Sequence, residues 1–168
     1  MRQRLPSVNI LALAATALMV AAMLFPWWTL AFEGNVPTDI YPYLIDGPAS
    51  EFIGYKRSKQ MTLLTYALSV AIGLSLLGTV LRGRVGQLAL FVGSLLSGYG
   101  TYRLVARISL VAERYEIPLQ GSAITYVELA RTRVEGTIRP GIPLMAAGAA
   151  MCLLAAVLHS KARLRSSS

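Results

Sequence analysis

The chain has 168 residues, of which 55 % are hydrophobic and 14 % charged, and sixteen Lys/Arg against eight Asp/Glu leave a net charge of +8. Ordinary soluble domains carry about a quarter charged residues, so this composition excludes a soluble enzyme and a disordered tail, and a single cysteine excludes a disulfide scaffold. The basic residues are scattered along the chain, which argues against a nucleic-acid interface despite a pI of 10.1.

Four apolar blocks, about 8–28, 61–81, 88–107 and 142–158, come close to the ~20 residues of a membrane crossing; the third is uncharged as far as Arg103 and the other three are uncharged throughout. Their lack of polar alternation points to helices over barrel strands. The first block follows Arg2 and Arg4 and ends in Phe25-Pro26-Trp27-Trp28. Its length exceeds a signal-peptide apolar core and its Pro-Trp-Trp end reads as an interfacial anchor, so it is expected to remain uncleaved. Trp28 to Glu33 alternates in polarity and stops at Gly34-Asn35, a strand signal. Pro37, Pro42, Gly47 and Pro48 make a loop, and Lys56, Arg57 and Lys59 precede the second block.

A short link with Arg82 and Arg84 leads to the third block, whose helix is expected to run on through Arg103 and Arg107 to a solvated end at Glu113–Glu116 before Pro118. Arg103 is placed to snorkel to the interface. Ser122 is read as the cap of a short helix through Val134, with Ile124, Val127 and Ala130 or Arg131 on one side. Gly136, Pro140, Gly141 and Pro143 lead into the fourth block. The fold expected is an all-α membrane protein, a four-transmembrane-helix bundle in one domain (1–168). Outer segments 29–60 and 107–140 would form a small extracytoplasmic cap of short β-strands and a short helix.

Charge sets the expected orientation. Arg2, Arg4, Arg82, Arg84, Lys161, Arg163 and Arg165 flank the blocks without any acid, whereas all eight acids lie in the two long connections. The positive-inside rule then puts both termini and the short link in the cytoplasm. Twelve aromatics, including Trp27, Trp28, Phe32, Tyr41 and Tyr43, fall at the outer helix ends or in the outer segments. They are expected to form an interfacial belt or a partner-docking face. Arg103 and Arg107 join that outer set.

The search for chemistry returns little. Cys152 sits amid apolar neighbours and His159 stands alone, so no metal, haem or redox pair can be assembled. The spans hold no acid for a proton relay. No catalytic, cofactor-binding or metal residues are expected, and no enzyme activity. Small residues are the remaining signal: Ser69 with Gly73, Gly93 with Ser97, Ser94 with Gly98, and Gly148 with Cys152 each recur at every fourth position. Such stripes let helices approach closely in lipid.

Helix one ending in Pro26-Trp27-Trp28, the strand-like Thr29–Glu33, the basic Arg82-Gly83-Arg84 link and the Pro140-Gly141 entry into an Ala/Gly-rich helix resemble small four-span membrane proteins of archaea and bacteria. The order of segments is also similar to the claudin-like tetraspan topology. The cysteine pair and Gly-Leu-Trp motif of claudins are absent, so the resemblance implies architecture alone and no junction or pore role. The function expected is a non-catalytic accessory subunit in the lipid bilayer, packed against larger subunits of a membrane complex such as a respiratory or other membrane-enzyme assembly. The alternative is a homo-oligomeric channel or small-solute transporter built from copies of the chain.

Overall fold

The structure, a computed structural model, describes residues 9–48, 50, 56–81, 83–127 and 130–164. Arg2, Arg4, Arg82 and Arg165, on which the expected orientation partly rests, lie outside the described residues, as do the side chains of His159, Lys161 and Arg163.

Helix α1 (Ile10–Leu24) opens at Asn9, whose side chain accepts a hydrogen bond from Ala12 N at 3.2 Å. It stops where Phe25, the residue before Pro26, turns extended at ψ 147°. The chain then enters β1 (Trp28–Phe32), β2 (Thr38–Ile40) and β3 (Ile45–Asp46). Gly34 makes the β1–β2 turn at φ +79°, with Asn35 N donating to Phe32 O. Ser58 caps α2 (Lys59–Val80) by accepting from Met61 N. Helix α3 (Gly83–Arg114) follows after a brief break and, at 32 residues, is about 48 Å long.

The end of α3 is a Schellman-type stop: Glu116 lies at φ +53°, its N–H bonds Glu113 O, and Ile117 N–H reaches back to Ala112 O at 2.8 Å. A hairpin of β4 (Gly121–Val127) and β5 (Ala130–Ile138) leads into α4 (Gly141–Leu164). All pairings are antiparallel and the sheet order is β3-β2-β1-β5-β4. The central strand β1 sets Trp28 opposite Ile138, Leu30 opposite Gly136 and Phe32 opposite Val134.

The sheet caps one end of the packed helices, where α1 and α3 finish and α2 and α4 begin. At the other end Asn9 N donates to Thr79 O. Helix α4 packs on α1 and α3, and α2 packs on α3 and, less extensively, α1. One apolar core runs from Ala15, Met19, Leu68, Leu90 and Cys152 between the helices to Ile108, Ala112, Trp28 and Val134 under the sheet.

The expected all-α, four-span bundle is therefore corrected. Among the described residues two helices, α2 and the Gly141–Leu158 part of α4, are long and apolar enough to cross a membrane. Helix α1 has 15 residues, because the Pro26 region diverts the end of the first apolar block into β1. In α3 the Gly-, Ser- and Tyr-rich stretch Gly93–Thr101, followed by Arg103 and Arg107, dilutes the hydropathy below that of a span. The short helix expected from Ser122 to Val134 is the β4–β5 hairpin instead, and it completes a five-stranded sheet with β1, β2 and β3. Its β-branched residues, Ile124, Thr132, Val134, Thr137 and Ile138, favour a pleated surface, and pairing with β1 satisfies the backbone.

Candidate functional site

Between the helices, the small residues divide into two groups. Gly93, Ser94, Ser97, Gly148 and Cys152 are buried in contacts between helices. A Cβ at Gly93 would lie 3.0 Å from Ala71 O, and one at Gly148 would lie 2.8 Å from Met19 Cγ and 3.1 Å from Ala15 O. These glycines let α3 approach α2, and α4 approach α1, at backbone distance. Ser69 and Gly98 are exposed, and Cβ atoms at Gly73 and Gly98 would meet nothing within 4 Å. The structure does not bring these three into the packing; they lie on outward surfaces.

A hydroxyl–thiol knot joins all four helices at mid-core. Thr16 Oγ1 of α1 donates to Ala12 O and meets Ser75 Oγ of α2 at 2.8 Å. Cys152 Sγ of α4 lies 3.5 Å from that hydroxyl and 3.2 Å from Leu90 O of α3. Ser94 Oγ donates to Ala149 O at 2.9 Å, and Ser97 Oγ bonds within its own helix. Every polar atom of the knot is thus satisfied where water is excluded, which is what a structural clasp requires. No spacing motif in the sequence points to Thr16; its signal is that it carries the sole side-chain hydroxyl of α1.

The aromatic residues expected on an outer face divide as well. Trp27 and Trp28 are 0 % and 1 % exposed, so they are core residues and not surface anchors. Trp27 Nε1 donates to Ala22 O at 2.8 Å, and its ring lies against Gly141, where any Cβ would collide with it. Trp28 Nε1 donates to Leu119 O at 3.0 Å, joining β1 to the segment after α3. Phe32 packs partly buried against the core. Tyr41 and Tyr43 pair with ring centroids 5.5 Å apart. Burial first, and then Asp39, Tyr43 and Asp46, push the Tyr41 phenol above its ordinary pKa.

Next to that pair, Thr29 Oγ1 donates to Asp39 Oδ1 at 2.5 Å and accepts from Arg139 Nε at 2.8 Å. This chain of contacts ties β1, β2 and the end of β5 together. It places an acid and a cation on one hydroxyl, with Asp46 opposite Asp39 in the β2–β3 register.

Arg103 and Arg107 stand exposed one helical turn apart on α3. They line a groove of about 380 Å³ between α3 and the first turns of α2, with Met61, Leu64, Ala67 and Tyr99. Arg107 Nη1 donates to Gln60 Oε1 across it. Gln60 belongs to the groove although no motif or spacing in the sequence points to it. At the opposite end of the helices Arg84 and Gln87 border a second surface groove with Phe91 and Val157. Among the described residues no group of three or more His, Cys, Asp or Glu side chains converges to hold a metal ion. No protein-family model and no curated protein sequence matches the chain.

Proposed function

We propose that the chain is a membrane-resident, non-catalytic accessory subunit that docks its helices against larger subunits of a membrane complex. The observation that carries this reading is the outward surface of the helices. On α2 alone, Leu63, Tyr66, Val70, Leu77 and Val80 are each more than half exposed, and α1, α3 and α4 carry similar rows. A continuous apolar surface of this kind is covered either by lipid or by protein.

Helix α2 adds a notch to that surface, because Ser69 and Gly73 sit one turn apart with open space above Gly73. Small residues that are not used inside the chain are where a partner helix can come close. The interior, by contrast, is filled by a satisfied polar knot and an apolar core, which supports a packing role over a conducting one.

Orientation follows the charge. The end of the helices away from the sheet carries Arg84 and the last turns of α4 with Lys161 and Arg163, followed in sequence by Arg165, so it faces the cytoplasm and the sheet faces outward. The test is a photo-crosslinking side chain at Ser69 in native membranes, with Cys152 as the buried control. The reading expects an adduct of larger protein mass at Ser69 and none at Cys152. Lipid adducts alone at Ser69 would overturn it.

A further inference from the structure

We infer that the groove between α2 and α3 binds one anionic glycerophospholipid, with the phosphate held by Arg103 and Arg107 and an acyl chain laid down the apolar floor. This rests on the membrane residence proposed above and is independent of any partner subunit.

The groove has a polar head and an apolar body in the order a lipid needs. Arg107 and Gln60 stand at the end nearer the sheet, Arg103 lies one turn (~6 Å) deeper, and below it come Leu64, Ala67 and Tyr99. Gly100 lets this floor sit close, since a Cβ there would lie 2.9 Å from Leu68 Cδ2. Arg107 is held in place by Gln60. Among the described residues Arg103 forms no hydrogen bond or ion pair and no carboxylate lines the groove.

Guanidinium groups suit phosphate because their planar forks donate two bonds at once, and nearby lipid excludes the water that would screen them. Lys56 and Arg57, just before α2, and Lys59 at its first position are exposed and add to the same positive field. In the proposed orientation these five cations lie on the outer side, against the usual charge bias, and a headgroup anion on that side offsets them.

The experiment uses the full chain in mild detergent and native mass spectrometry, titrated with phosphatidylglycerol and, separately, phosphatidylcholine. The expected result is one retained phosphatidylglycerol in preference to phosphatidylcholine, with apparent affinity falling about tenfold for each of Arg103→Gln and Arg107→Gln. A second variant, Ala67→Phe, keeps both charges and fills the floor; it is expected to weaken phosphatidylglycerol binding while its own thermal melt stays with that of the wild type. Equal retention of both lipids overturns the proposal, as does a double Gln variant that binds like wild type. Displacement of the lipid by inorganic phosphate at comparable concentration also overturns it, because the site would then be an anion site without a role for the chain. Membrane fractionation of the double Gln variant separates failure here from failure of membrane residence: the variant stays with membranes if only the lipid site is lost.

Discussion

Two glycine-to-alanine substitutions that look alike in sequence should have opposite effects. Gly148 and Gly73 both lie inside helices, and in each case alanine relieves a helix-propensity deficit of about 0.8–1.0 kcal/mol. At Gly73 the added methyl meets nothing within 4 Å, so that gain stands. At Gly148 it meets Met19 Cγ at 2.8 Å, Ala15 O at 3.1 Å and Met19 N at 3.2 Å. Met19 is fully buried and two of the three atoms are backbone, so α1 must move away from α4. Overpacking of this kind costs about 1–3 kcal/mol. Gly148→Ala is therefore expected to be less stable than Gly73→Ala by about 1–3 kcal/mol. For a chain of this size that is a gap of several degrees, at about 2–4 °C per kcal/mol. Thermal unfolding in mild detergent, followed by circular dichroism, reads it directly. If Gly148→Ala melts with or above Gly73→Ala, the close α1–α4 contact is wrong.

Glu116 holds a left-handed conformation that costs a residue with a Cβ about 1–2 kcal/mol, so Glu116→Gly should raise the melting temperature, whereas Glu116→Val should lower it. Trp28→Phe keeps most of the apolar contact but leaves Leu119 O without its donor, at about 1–2 kcal/mol, and Trp28→Ala should cost about 3–5 kcal/mol in the same melt; a surface anchor would cost under 0.5 kcal/mol. The raised pKa of Tyr41 means the fold favours its neutral phenol. That contribution is complete below the ordinary value of 10.0 and is lost as pH rises through the higher folded value. Tyr41→Phe should accordingly lose less stability than wild type in denaturant titrations compared between neutral and strongly alkaline pH.

Local signals in the sequence were legible where one residue type decides the backbone. The alternation after Pro26 marked β1, and the run of Glu113–Glu116 before Pro118 marked the end of α3. Helix-period spacing misleads over Ser122–Val134, because Ile124, Val127 and Ala130 fit a helix face as well as a hairpin, while the β-branched Ile124, Thr132 and Val134 favour strands. Apolar length misled in α1, where the run continues past Leu24 but the backbone does not stay helical.

The small-residue stripes identified residues without identifying faces. Spacing alone makes Gly73 and Gly93 equivalent, and only the packed structure puts Gly93 against Ala71 and leaves Gly73 open. The tryptophans were misplaced for a related reason. A Pro-Trp-Trp at the end of an apolar block satisfies the interfacial pattern, but the Leu119 carbonyl that accepts from Trp28 and the Gly141 backbone that lies against the Trp27 ring come from distant parts of the chain. The groove at Arg103 and Arg107 needed Gln60, 47 residues away, to be seen as a site.

The accessory role is tested most directly by mild extraction of the protein from its native membranes, followed by size separation and mass spectrometry of what travels with it. The account predicts larger membrane subunits in fixed stoichiometry, lost when Gly73 is replaced by leucine. A monomer without companions, or a ring of identical chains, would contradict it.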